Sequence, residues 1–350
     1  MDAVILLHFG EPEQASEADV RPFLERIFRT NASLERHGSV EAMERRTREL
    51  AEQRTPGLVA EYEEIGGSPM NEQARGHSHR LGEALRGRGH DVRTYSAFQF
   101  TDPLPAEVLE RARADGATRV IGLPVYPLCG PSTTVAALAM LRDALDAMDW
   151  DAELVEVSGW HPHPLYTRLR ADGIRETARR AGIDLADERV ALVFSAHGTP
   201  LKYLREGSRY DRYVDQSCGA VAEAVGRGDR YVIGFQNHSN RPLEWTQPDV
   251  EKVIDEIDAD HVIVVPISFM HEQSETLAEL DHELREQAEL RGLAFHRVAV
   301  PHDDPSFAEV LADLCEPFLG KAADLPRNAA GLPFRPCLCR PGAVCLNGRR

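Results

Sequence analysis

Three groups of residues have chemistry that can be read before any fold is assigned: a histidine closing an apolar run, a row of glutamates and a set of clustered cysteines. The histidine stands in Ser195-Ala196-His197-Gly198-Thr199-Pro200, directly after the apolar run 190–196. Gly198 and Pro200 turn the chain there, so the imidazole is held at a strand end, with a side chain that exchanges a proton near neutrality. A backbone carbonyl would satisfy the same ring without any chemistry. Glu275, Glu279 and Glu283 recur every four residues, which on a helix sets three carboxylates along one face and Leu277, Leu280 and Leu284 on the other. Like charges at that spacing cost roughly 0.2–0.5 kcal/mol per pair, which a solvated acidic face tolerates. Turned into a cleft, the same row is a track for protons or hard cations. Cys337, Cys339 and Cys345 fall within nine residues and offer three soft ligands at short range.

The elements that must position these groups follow from short apolar runs rich in Val and Ile. They lie at 4–9, 92–98, 119–127 and 153–158, then at 190–197, 231–236, 261–269 and 294–300. Such runs lack polar alternation and are separated by helix-length amphipathic segments, the pattern of parallel strands covered by helices on both faces. The halves repeat one another loosely: Asp102-Pro103-Leu104-Pro105 opens a helix leading to Arg119–Pro124, and Gln247-Pro248-Asp249-Val250 opens one leading to His261–Pro266. The spacing predicts an α/β protein of two similar domains with parallel sheets, 1–160 and 161–320. Residues 321–350 form a short C-terminal extension that needs a staple to order it. Ligands bind such sheets beyond the carboxyl ends of the strands, so the site is expected in the cleft between the domains.

The 350 residues include 57 acidic and 40 basic side chains, a net charge of −17. Lys202, Lys252 and Lys321 are the only lysines, and arginine supplies the rest of the positive charge. This balance argues against nucleic acid or an anionic membrane as a partner, since both need clustered cations. Met1-Asp2-Ala3 lacks a basic signal region, and no apolar run approaches the ~20 residues that span a bilayer. The expectation is a cytoplasmic protein with at most peripheral membrane contact, in a compartment where six cysteines ligate metal or lie buried rather than forming disulfides.

Several motifs together resemble the ferrochelatases: Ser195 to Pro200, Glu275 to Asp281, Ile65-Gly66-Gly67-Ser68-Pro69-Met70, Tyr126-Pro127 with Ser132-Thr133-Thr134, and Gln236 followed by Trp245 and Pro248. They occur in the family's order over residues 1 to 320. The resemblance implies two Rossmann-like domains of the class II chelatase fold and insertion of Fe²⁺ into a porphyrin in haem biosynthesis. Metallation requires two pyrrole protons to leave while the metal arrives along the ring normal, hence a base, a metal path and a pocket that bends the ring. By resemblance His197 lies beside the pyrrole nitrogens with Glu275 as its carboxylate partner; of the two roles open to it, proton acceptor or metal ligand, the first is favoured, with Glu275, Glu279 and Glu283 conducting protons or iron. Phe9, Ser68, Pro69, Tyr126 and Trp245 are the expected porphyrin pocket.

Two departures from the family pattern bear on the substrate. Phe9 precedes Gly10-Glu11-Pro12 where many relatives acting on coproporphyrin have a tyrosine, which favours protoporphyrin IX over coproporphyrin III. Gln99 replaces a frequent basic residue near the end of the second strand, which removes a salt bridge from that position. The segment 21–38, an apolar lip in membrane-bound relatives, turns polar after Phe28. Some ferrochelatases hold a [2Fe–2S] cluster on three C-terminal cysteines and one upstream, which implies such a cluster on Cys337, Cys339, Cys345 and Cys129. Cys218 and Cys315 are alternative fourth ligands, and a structural zinc is the alternative metal. The pairs His77/His79 and His161/His163 read as surface residues. A sirohydrochlorin-type chelatase or a tetrapyrrole carrier would share the architecture; possession of both His197 and Glu275 argues against the carrier.

Overall fold

The eight apolar runs become eight parallel strands in two sheets in the computed structural model, which describes residues 1–238, 242–320 and 325–347. The first half runs β1 (Asp2–His8), α1 (Glu17–Thr30), α2 (Val40–Glu64), α3 (Met70–Gly87), β2 (Val92–Phe98), α4 (Pro105–Ala114), β3 (Arg119–Pro124), α5 (Ala136–Asp146) and β4 (Glu153–Ser158). The second runs α6 (Pro164–Ala181), β5 (Val190–His197), α7 (Leu201–Arg205), α8 (Tyr210–Ala224), β6 (Val232–Gln236), α9 (Val250–Glu256), β7 (His261–Pro266), α10 (Arg285–Leu290), β8 (Ala294–Arg297) and α11 (Pro305–Cys315). The strand orders are β2-β1-β3-β4 and β6-β5-β7-β8. Helices cover both faces, so Val4 to Leu6 in β1 and Val262 to Val265 in β7 are fully buried.

The runs 119–127 and 261–269 leave their sheets at Pro124 and Pro266. Proline has no N–H for the ladder, and the residues beyond each proline enter the cleft instead: Val125 and Tyr126 in one half, Phe269 and Met270 in the other. A π-helical segment then occurs at the corresponding place in each half, Pro131–Val135 and Glu275–Leu284. Such segments are rare and cluster at functional sites, because the widened turn re-aims side chains.

The block 161–320 does not pack as one unit. Asp304 caps α11 by accepting a 2.8 Å bond from the Ser306 N–H, and Phe307, Val310, Leu311 and Leu314 form its apolar stripe. That stripe packs with Val4, Leu6, Leu81 and Leu85, so α11 returns to the first sheet. The C-terminal extension also joins this sheet: β9 (Arg335–Pro336) and β10 (Val344–Cys345) continue it beyond β4, β10 in parallel. Its staples are particular. Phe334 stacks on Phe318 at 4.8 Å, Arg340 makes two 3.1 Å bonds to the buried Glu156, and the Leu346 N–H donates to the Gly159 carbonyl at 3.0 Å. Residues 321–324 and 348–350 of the extension, Lys321 among them, lie outside the described residues. Among the described residues no helix is long and apolar enough to cross a membrane.

The histidine pairs differ from the sequence expectation. Only His79 is exposed; His77, His161 and His163 are almost fully buried. His77 falls on the inner stripe of α3 with Ala74, Leu81 and Leu85. His161 and His163 follow the carboxyl end of β4, where His163 comes within 3.4 Å of Asp313 on α11.

Candidate active site

Between the carboxyl ends of the two sheets lies a cleft of about 1610 Å³, its open mouth included. One wall is apolar. Ser16 caps α1 by accepting from the Asp19 N–H at 3.3 Å, and the stripe Phe23, Leu24, Ile27 and Phe28 faces the cleft together with Leu58 of α2 and Phe9. The apolar residues of the 21–38 segment therefore line the cavity.

The opposite wall carries the titratable groups. His197 ends β5, and its Nδ1 donates to the Gly198 carbonyl at 2.6 Å, which leaves Nε2 as the basic nitrogen. Nε2 lies 3.2 Å from Glu275 Oε1 and 3.2 Å from His238 Nε2. Burial alone would lower the His197 pKa, but the Glu275 carboxylate beside it outweighs burial and holds it above 6.5. Glu275 in turn is held below the ordinary carboxylate value: burial pushes it up, and His197 more than reverses this. Gly198 makes the arrangement possible, since a Cβ there would sit 1.8 Å from Asn237 Oδ1 and 2.8 Å from the Gln236 carbonyl.

The glutamate row lies on the wide-turn π-helix Glu275–Leu284, not on an α-helix, and it leads from inside to outside. Glu275 and Glu279 line the cleft, while Glu283 is exposed and outside that lining, among Glu61 and Glu64. Glu279 accepts a 2.8 Å bond from Gln236 Nε2, which also donates to the Glu275 carbonyl at 2.9 Å. Burial, then the charge of Glu275, raises the Glu279 pKa from 4.5 to about 8. The native state thus keeps a proton that the unfolded chain gives up, so this group makes stability fall as pH rises from about 4.5 to about 8. Glu279→Gln is expected to flatten the urea midpoint across that window relative to wild type; an unchanged pH slope would remove Glu279 as the proton-holding group.

Of the expected pocket residues, Phe9, Tyr126 and Trp245 line the cleft. Phe9 stacks edge-on against Phe100 at 4.6 Å. The Tyr126 hydroxyl donates to Gln99 Oε1 at 2.6 Å, so the buried Gln99 orients the wall where a basic residue was missing. Ser68 and Pro69 are not part of the lining, a correction to the sequence reading. Pro69 precedes the first turn of α3, which brings Met70 to the cleft, and the Ser68 hydroxyl is turned back to donate to Glu11.

His238 and Glu11 are among the lining residues that escaped the sequence reading. His238 follows the carboxyl end of β6, near where His197 ends β5, and that position after Gln236 was the available signal. Burial, then His197, lowers its pKa to about 4. Glu11 sits in the Gly-Glu-Pro turn after β1 and is buried, accepting from the Ser274 hydroxyl at 2.6 Å. Burial raises it to about 7, with the Glu275 charge acting the same way. One ligand atom from each of His197, His238 and Glu275 lies within 4.8 Å of the others.

The structure brings Cys129, Cys337 and Cys339 together, with their sulfurs within 4.8 Å of one another, and Cys345 in hydrogen-bond contact with Cys337. Cys218 and Cys315 are instead buried in apolar cores. Hydrogen bonds from the three other thiols, Cys129 first, hold Cys337 well below the usual thiol range. Cys339 also meets the Tyr213 hydroxyl at 3.5 Å. Cys129 lies between Leu128 and Gly130, both in the cleft lining.

A family model described as Ferrochelatase matches residues 1–318. A ferrochelatase of Synechococcus sp. strain JA-2-3B'a(2-13) is 34% identical over 325 residues, covering 90% of this chain and 92% of the relative. One from Gloeobacter violaceus is 30% identical over 328 residues, 91% and 97% of the two chains. Among solved structures, SirB from Bacillus subtilis with Fe³⁺ superposes with a TM-score of 0.52 at 10% identity, over 91% of this chain and 96% of the other, a likeness of fold.

Proposed function

The chain belongs to the ferrochelatase family, enzymes that insert ferrous iron into a porphyrin in haem synthesis, and from that premise we propose that its substrate is protoporphyrin IX and that His197 is the proton acceptor. The observation that carries the substrate choice is the charge of the lining. Among the described residues of the cleft, Arg54 is the one guanidinium or ammonium, and it is paired with Glu61 at 2.7 Å. Coproporphyrin has four carboxylates to neutralise, whereas protoporphyrin has two carboxylates and two vinyl groups, which suit the wall of Phe9, Phe23, Leu24 and Phe28. With both porphyrins offered in turn alongside Fe²⁺, kcat/KM is expected to favour protoporphyrin by at least about tenfold, roughly 1.4 kcal/mol. An equal or opposite preference would overturn the assignment.

For the chemistry, a pyrrole N–H donates its proton to His197 Nε2 while Nδ1–H stays on the Gly198 carbonyl. Glu275, kept ionised by its partner, offsets the charge of the imidazolium that forms. Gln236 holds the Glu279 carboxylate beside the Glu275 backbone carbonyl, and the row continues to Glu283 at the surface, a series of carboxylates for protons to move along as iron takes the ring nitrogens. Fe²⁺ is the substrate metal, and His238 and Glu275 are placed to hold it before insertion.

The cysteine set has the donors for a [2Fe–2S] cluster. Cys129, Cys337 and Cys339 have their sulfurs within 4.8 Å of one another with Cys345 beside Cys337, and such a set of sulfur donors suits a soft metal centre. Cys129, Cys337, Cys339 and Cys345 would hold it. The group would tie the C-terminal extension to the loop after β3.

A further inference from the structure

We propose that His8, His77 and His271 form a second metal site, one that binds a borderline divalent transition ion of the Zn²⁺ type and takes no part in proton removal. The three rings come from β1, α3 and the loop after β7, and all are at most 3% exposed. Their centroids are 4.7 to 6.0 Å apart. One ring nitrogen from each lies within 4.8 Å of the others. They share no residue with the His197–His238–Glu275 group.

The hydrogen bonding of the cluster is incomplete in a way that a cation completes. His8 Nδ1 and His271 Nε2 are 3.1 Å apart, and His77 Nε2 donates to the His302 carbonyl at 2.8 Å. His8 Nε2 and His77 Nδ1 are buried with no partner among the described residues. Phe98 and Phe307 pack against His8 and His77, so the surrounding wall supplies apolar surface. A buried nitrogen left in that state has lost its water and gained nothing in exchange, which destabilises the fold until a ligand arrives. His77 already has the arrangement typical of a metal ligand: its outer N–H is fixed on a backbone carbonyl, which sets the tautomer and leaves the Nδ1 lone pair free for an ion. Three imidazoles without a carboxylate or thiolate select zinc-like ions over Ca²⁺ or Mg²⁺, which take oxygen donors. His271 also lines the cleft, which gives an ion a way in. Because His8 and His77 belong to the first half and His271 to the second, the bound ion would clamp the halves behind the cleft.

The test uses the full chain, stripped with chelator and then loaded with Zn²⁺. Crystals soaked in Zn²⁺ are expected to give an anomalous difference peak among the three rings. A map with peaks at the cysteines or at His197 and none among these rings overturns the proposal. In solution, His77→Leu and His271→Leu are each expected to bind one equivalent of Zn²⁺ fewer than wild type and to lose the part of the Zn²⁺-induced rise in Tm that Cys337→Ser and His197→Ala retain. Unchanged stoichiometry in both leucine variants contradicts it. The soaked wild-type crystal needs no variant to fold.

Discussion

His197→Ala lowers kcat for iron insertion by about 10²–10⁴-fold, the usual contribution of a positioned general base, while porphyrin affinity changes little. The separation is expected because the surfaces that would grip the macrocycle, Phe9, Phe23, Leu24 and Trp245, are independent of the imidazole. Fluorescence titration of the free-base porphyrin measures its affinity, and anaerobic haem formation measures turnover. A variant that retains full turnover would remove His197 from the mechanism. The pH profile adds a sign that a merely structural histidine would not produce. His197 must be unprotonated to accept a proton, and Glu275 holds its pKa above 6.5, so the acid limb of kcat/KM in the wild type lies above that value. In Glu275→Gln burial is no longer opposed by that carboxylate, and the limb moves to lower pH. A limb that stays in place would mean that the pair at 3.2 Å does not set the base.

Cys337→Ser is the second change expected to have a large effect, because the other three thiols converge on Cys337. The wild type is expected to show visible absorbance and an EPR signal on reduction, and the variant neither. A colourless protein containing zinc would replace the cluster with a structural metal ion. In either case the extension should loosen. Its other described staples include the Phe334–Phe318 stack, the Arg340–Glu156 pair, the Leu346–Gly159 backbone bond and the two-residue strand β10. Limited proteolysis should therefore cut the variant within 325–347 before it cuts the sheets. Since Leu128 and Gly130 line the cleft on either side of Cys129, KM for the porphyrin should rise as well. An intact extension with unchanged KM would show that the four sulfurs carry no metal.

Much of the architecture was legible because parallel strands buried on both faces need uninterrupted apolar runs. Strands 92–98, 153–158 and 190–197 have the bounds that their sequences predict. Where the runs extend past Pro124 and Pro266, sequence could not separate a strand from the cleft lining beyond it, since both are apolar. The return of α11 to the first sheet was likewise hidden, because a stripe of Phe307, Val310, Leu311 and Leu314 does not say which sheet it will cover. At the site, the carboxyl ends of strands located His197, and the same rule applied to β6 would have reached His238. Glu11 and Ser68 were harder: one became a buried carboxyl and the other its donor only through contacts 57 residues apart in sequence. The four-residue spacing of the glutamates suggested one face of an α-helix, and the π-helical widening that sends Glu283 outward has no simple sequence signature. His77 was misread because a polar residue on an amphipathic helix was assigned to the solvent side, when partners on β1 and in the loop after β7 awaited it.

The most direct test of iron insertion is anaerobic haem formation by the wild-type protein from Fe²⁺ and protoporphyrin IX, monitored as the free-base porphyrin spectrum gives way to that of protohaem. Turnover well above the uncatalysed rate is predicted, lost in His197→Ala under the same conditions with the porphyrin still bound. Metallation no faster than in buffer for both protoporphyrin and coproporphyrin, by a folded protein that binds them, would contradict it.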